Sequence, residues 1–357
     1  MWPSGWSSPT ASSRQTPPPP MSWFTFSFDD FAFSFLSVLL EGVPFLLLGA
    51  LISGLVDVFV SAERMQRMLP KNNAAAIGVS GLLGLIFPMC ECGSVIVIRR
   101  FLKKGLPLSS AVSYMLAAPI VSPLVALSTF AAFKGQSPWI MTSLRLSLGY
   151  LIAIGVGFIV HRLPVAAVLR PDLAGRKRAG LSFSSTPDEQ APPPDFATLA
   201  AAASFPKKLL LAVQSATADF LDVAFYLIIG TAAASVFNTA VNQEVILPLA
   251  TNPLPAILAM MGLAALLAVC STTDAFIAAS FSTFSYASKL AFLLFGPVFD
   301  LKLLWLYGIL FRRRFVACLA VGLFIVIALV CWRIDSLKLD ETRPLAAPAI
   351  SRTLSPP

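Results

Sequence analysis

The sequence predicts an all-α polytopic membrane protein, with about eight transmembrane segments in two repeated halves and with broken or re-entrant helices among them. Three observations carry this prediction. Apolar residues make up 57% of the 357-residue chain and charged residues only 12%, about half the charged share of a soluble domain. The apolar residues fall in runs long enough to cross a bilayer as a helix, which takes about 20 residues. Features of the first half also return, in the same order, in the second.

Residues 1–30 read as a disordered tail, because Pro17 to Pro20 and the nearby Ser and Thr can build no core. No removable signal peptide is expected there, and Met21 is an alternative start. Eight apolar stretches follow, at roughly 31–59, 74–98, 108–133, 139–160, 209–237, 254–280, 288–310 and 315–332. The first carries Glu41, Gly42 and Pro44, which predict a tilt or kink. Stretches one to four form the first repeat, 31–160. A basic, Pro-rich linker occupies 161–208, the second repeat 209–332, and a second disordered tail 333–357.

The formal net charge is +8. Its Lys and Arg sit mainly in short loops between apolar runs, the pattern of a membrane protein and not of a nucleic-acid binder. With eight crossings, both termini share a side with Arg99, Arg100, Lys103, Lys104, the basic linker, Arg333 and Lys338, which predicts both ends in the cytoplasm. Arg312-Arg313-Arg314 then falls on the wrong side. A re-entrant hairpin in the second or seventh stretch removes that conflict. The five cysteines lie in or beside apolar segments and form no disulfide framework.

The halves match at several points. Glu41 precedes Gly49 at the offset by which Asp222 precedes Gly230. About 40 residues on, Cys90-Glu91-Cys92-Gly93-Ser94 corresponds to Cys270-Ser271-Thr272-Thr273-Asp274. Further on, Ala118-Pro119-Ile120-Val121-Ser122-Pro123 corresponds to Gly296-Pro297-Val298-Phe299-Asp300. Repeated halves with apolar segments interrupted at matching places point to a transporter whose site lies where the breaks meet. Four crossings per half make the repeats parallel; a re-entrant segment in each makes them inverted.

The breaks also hold the chemistry. Cys90 and Cys92 point apart on a continuous helix but face one side in extended backbone, which Pro88 and Gly93 favour. There they are soft contacts; otherwise they are small packing residues at a bend. Glu91 lies between them at membrane depth, where an ionisable group faces a cavity or a partner. Ser271, Thr272 and Thr273 either satisfy freed carbonyls and an oxyanion or bond back to the preceding turn. Asp274 is either a proton carrier or half of an ion pair with Lys302 or Arg145. Pro119 and Pro123 free the carbonyls of Met115 and Pro119, which line a polar path or mark a kink. Ser122 accompanies them, and Pro297 and Asp300 occupy the matching break. Asp219 and Asp222 share a helix face, with Asp219 near the interface.

A lone His161 at a loop edge excludes His-based zinc sites and Ser-His-Asp triads, and no phosphate loop is present. No enzyme activity, metal or cofactor is expected.

Pro88-Met89-Cys90-Glu91-Cys92-Gly93, with Arg99-Arg100, Lys103-Lys104-Gly105 and Ala117-Ala118-Pro119-Ile120-Val121-Ser122-Pro123, resembles the predicted permease family that contains the ArsP-like organoarsenical efflux permeases. Cys270 to Phe276 and Gly296 to Lys302 resemble its second signature. The likeness covers about 31–314. It implies an inner-membrane permease, with exporters of trivalent organoarsenicals among its members; those exporters look closer to a Cys-Ser-Cys-type segment, where this chain has Glu91. The expectation is a secondary transporter of a small solute, with Glu91 and Asp274 as the candidates for coupling to a proton gradient. Efflux of a soft thiophilic species such as an organoarsenical would fit. The alternative is a membrane-bound thiol redox or metal-handling protein.

Overall fold

The computed structural model describes residues 27–59, 70, 72–86, 89–170, 205–240 and 252–337. Most of both expected tails and of the linker lies outside these residues. Among the described residues the chain forms thirteen α-helices and no strand beyond one isolated bridge. The chain is a multi-pass, all-α membrane protein.

Four helices are long and apolar enough to cross a bilayer: α1 (Phe28–Phe59), α6 (Pro138–His161), α8 (Phe205–Ala240) and α13 (Arg313–Ser336). The other four apolar stretches are each split in two. They give α2 (Asn73–Ile86) and α3 (Glu91–Lys103), α4 (Leu108–Ala117) and α5 (Pro123–Ala132), α9 (Pro253–Leu267) and α10 (Asp274–Ser280), and α11 (Tyr286–Phe295) and α12 (Leu301–Leu310). A short α7 (Val165–Val168) follows α6.

Local chemistry accounts for the breaks. Cys90 is extended (φ −71°, ψ 166°), and its Sγ accepts the Gly93 N–H, which caps α3. Ser122 is extended, and Pro123 opens α5 at the one helical position where a missing N–H costs nothing. Ala268 ends α9 in the left-handed region (φ 49°). Asp300 is extended and caps α12 by accepting the Leu303 N–H at 2.7 Å.

Two of the split stretches turn back. α2 begins beside the end of α6, where Asn73 and His161 meet at 3.5 Å, and it runs antiparallel to α6, Tyr150 donating to the Gly78 carbonyl. α3 ends where Arg100 meets Asp57, near the end of α1. α4 then starts at this same end, Ser109 lying against Gly157. α2 and α3 are therefore a re-entrant hairpin. α9 and α10 form the second, from the opposite end. α9 runs alongside α11 until Ala264 meets Gly296, and Ala279 and Tyr286 both reach the loop of Gln136 and Ser137. The eight apolar stretches thus resolve into six crossings, two of them broken, and two hairpins.

α1 and α8 pack antiparallel. Gly42 faces Leu227, Gly54 faces Ala212 and Ala216, and Phe59 meets Phe205. The order long helix, hairpin, broken crossing, long helix therefore occurs twice, in opposite orientations.

The hairpin changes the expected sidedness. Arg99, Arg100, Lys103, Lys104, Arg162, Arg170, Lys207, Lys208, Arg312, Arg313 and Arg314 all fall at one end, called here the basic end. Arg312 is fixed there by its N–H to the Val168 carbonyl and its Nε to that of Leu169. Phe28 and Ser336 lie at the other end, with Lys134 and Arg333. The described chain ends are thus opposite the linker, not beside it, because the second stretch never crosses. The triple Arg joins the other positive charges.

Candidate functional site

The tips of the two hairpins meet. Cys90, Glu91 and Cys92 from the α2–α3 hairpin and Cys270 from the α9–α10 hairpin line one small cavity with Glu41, Gly42, Val38, Leu227 and Lys302. A second cavity, on the other side of Cys90 and Cys270, is lined by Met89, Ser122, Ser271, Thr272, Phe45, Leu124 and Val125. Each has a volume of about 10 Å³, room for about one water. Cys90 and Cys270 form the partition between a charged chamber and a chamber of hydroxyl, sulfur and apolar groups.

Lys302 ties the centre together. Its buried Nζ lies 2.9 Å from Glu91 Oε1 and 3.0 Å from Asp300 Oδ2. It also donates to the carbonyls of Ala268 at 2.7 Å and Val269 at 3.3 Å, which the end of α9 leaves without helical partners. One ammonium thus links the first hairpin, the second hairpin and the α11–α12 break. Ser271 Oγ reaches Glu91 Oε2 at 3.4 Å. Thr273 Oγ1 donates to Glu41 Oε1 and so joins α1 to the start of α10. Among the described residues no cation lies within ion-pairing distance of Glu41, although it lines the charged chamber.

Asp274 turns the other way. Arg145, fully buried on α6, holds it through Nη2 at 2.7 and 3.0 Å, and also donates to the Ser271 carbonyl and Thr129 Oγ1. Of the two partners the sequence offered Asp274, Arg145 is the one present. Asp274 is therefore committed to an ion pair and lines neither cavity described here.

The remaining candidates are placed as follows. Gly93 faces α1: a Cβ at Gly49 would lie 2.8 Å from the Gly93 Cα. The two helices touch only because both positions lack a side chain. Asp300 is a cap and a partner of Lys302. Pro119, Pro123 and Pro297 shape the breaks and line neither cavity. Pro88 lies outside the described residues.

Sequence reasoning gave no site role to Lys302, Arg145 or Glu41. The signal was available, since each is an ionisable residue inside an apolar run. It also left Arg100, Lys104 and Asp219 in loops or at the interface. All three are buried, in a cluster with Asp57 at the basic end.

Crossings broken at mid-depth, with polar groups gathered at the breaks, define the architecture of a polytopic membrane permease. The chain belongs to the family described as predicted permease, whose model matches residues 27–334. It is 36% identical over 295 residues to the UPF0718 protein YcgR of Bacillus subtilis, covering 82% of this chain and 92% of that one. It is 35% identical over 283 residues to a Streptococcus mutans protein described as "Putative two-component membrane permease complex subunit", covering 79% and 87%. No solved structure matches.

Proposed function

We propose that the chain is a secondary transporter of a small, soft, thiophilic solute, bound where the two hairpin tips meet. The observation that supports it is the convergence of Cys90, Cys92 and Cys270 on one buried locus from hairpins that enter from opposite ends. The thiols are the soft contacts, and Ser122, Ser271 and Thr272 supply hydroxyls on the far side of Cys90 and Cys270. The two halves act as an inverted repeat, so that related elements close the path from either end in turn. Trivalent organoarsenicals fit this chemistry, with efflux as the direction. The chain sits in the inner plasma membrane with its basic end in the cytoplasm. By likeness to the Streptococcus relative, it works beside a second subunit.

Proton coupling, in this reading, belongs to Glu41. Arg145 occupies Asp274 and Lys302 occupies Glu91, which leaves Glu41 as the chamber carboxylate without a cation. Its bonded partner is the neutral Thr273 hydroxyl and not a cation.

Proteoliposome flux of methylated trivalent arsenic and other soft solutes tests the reading. Wild type moves at least one of them, and Cys90→Ser lowers that flux about tenfold or more. A pH gradient accelerates wild type but not Glu41→Gln. Equal flux in wild type and in the joint Cys90→Ser, Cys92→Ser, Cys270→Ser variant ends the thiol assignment. Indifference of wild type to the gradient ends the coupling.

A further inference from the structure

The central cavities are too small for any solute beyond water; α1 lines both, and α8, packed on α1, lines the charged one through Leu227, so a shift of this pair is the direct way to open the site. What holds α1 and α8 at the basic end is a buried ion network. Arg100 on α3 grips Asp219 on α8 through two bonds, at 2.7 and 2.9 Å, and reaches Asp57 on α1 at 2.9 Å. Ser215 Oγ bridges Arg100 and Asp57, Ser53 Oγ donates to Asp219, and Lys104 Nζ donates to the Asp57 carbonyl at 2.6 Å. Lys104 also faces the Asp57 carboxylate at 3.9 Å. Two cations thus balance two carboxylates, with the pairs largely removed from solvent. Arg100 is nine residues past Glu91 on α3, about 14 Å along the helix, so the network lies between the site and the basic end.

The matching positions of the other half do not carry the same charges. In the register that matches Glu41 with Asp222 and Cys90 with Cys270, Asp57 corresponds to Asn238, Arg100 to Ser280 and Asp219 to Val38. None is charged. α1 packs on the hairpin arm α3, while α8 packs on α12 through Gly230, where a Cβ would lie 2.7 Å from the Lys302 Cα. The pair therefore leans on α3 and α12 and leaves the matching elements α10 and α5 less covered.

We infer that Asp57, Arg100 and Asp219 are the gate of the translocation path at the basic end, closed in this structure, and that α1 and α8 move off α3 as a unit when it opens. The inference rests on the transporter reading, but its test reads accessibility and not transport. In a Cys318→Ser, Cys331→Ser background, the remaining thiols are Cys90, Cys92 and Cys270. Their modification by a membrane-impermeant maleimide is timed from each face of oriented vesicles. Wild type reacts slowly from the basic face. Asp219→Asn and Arg100→Gln each raise that rate about tenfold or more, since a charge-assisted bond is lost, and leave the rate from the other face unchanged. Arg100→Lys, which keeps a cation for Asp57 and Asp219, stays closer to the wild-type rate than Arg100→Gln. Unchanged rates in both single variants, or an equal rise from both faces, overturn the gate. A side-specific rise with no solute flux in any variant keeps the gate and removes the transporter reading instead.

Discussion

Replacing Lys302 by Met keeps most of the side chain's volume and deletes the one cation shared by Glu91 and Asp300. Lys302 is 4% exposed, Glu91 2% and Asp300 1%, so little solvent is at hand to stabilise the stranded carboxylates. Breaking a buried pair by removing one partner costs about 3–5 kcal/mol. Here two carboxylates and the carbonyls of Ala268 and Val269 lose their donor together, which places the expected loss at the upper end. Glu91→Gln in the same chain removes one stranded charge, so the double variant costs less than the two singles together by about 1–2 kcal/mol, a coupling of ordinary size for direct neighbours. The assay is equilibrium unfolding in mixed micelles against rising SDS fraction, followed by far-UV circular dichroism. Should Lys302→Met cost less than about 1 kcal/mol, or should the double variant cost the sum of the two singles, Lys302 does not hold the centre together.

Arg145→Gln leaves Asp274 buried without its partner and costs about 3–5 kcal/mol in the same assay, and adding Asp274→Asn recovers a part of it. Gly54→Ala drives a Cβ into the Ala212 carbonyl oxygen and forces α1 away from α8; overpacking of this kind costs about 1–3 kcal/mol or more, seen as a lower Tm of the detergent-solubilised protein. Gly155→Ala is its control, because nothing lies within 4 Å of the added Cβ and Ala is the better helix former, so its Tm holds or rises.

The apolar runs and their interruptions were legible because both are local properties. A run of about 20 apolar residues spans, and Pro119, Pro123, Pro297 and the clusters at Cys90 and Cys270 cannot continue a helix. The direction of the chain after a break is not local. Two arms of 14 and 13 residues, α2 and α3, add up to the length of one crossing, so hydropathy cannot tell a hairpin from a kinked span. The misplaced Arg312-Arg313-Arg314 cluster did carry that information, since charge counts sides where hydropathy counts lengths. Partner choice is less local still. Arg145 and Asp274 are 129 residues apart, and Arg100 and Asp219 are 119 apart. No helical spacing rule reaches across such gaps, so Asp274 had two partners on paper, and Asp219 was left at the interface.

A broken helix inside a bilayer frees backbone groups that lipid cannot satisfy, and this constrains what the central charges are for. Lys302 takes up the Ala268 and Val269 carbonyls, and Arg145 takes up that of Ser271. Each cation then needs a carboxylate, which Glu91 with Asp300, and Asp274, provide. These residues are thus accounted for by the breaks themselves, whatever the solute. Glu41 and the thiols of Cys92 and Cys270 line the chamber without closing any of these backbone gaps or balancing either of these cations, although Glu41 does accept from Thr273. Under the proposed function, changes at Lys302 or Arg145 act first on folding, and changes at Glu41, Cys92 or Cys270 act first on what the site accepts. Comparing the stability of the two sets of variants with their flux separates scaffold from site.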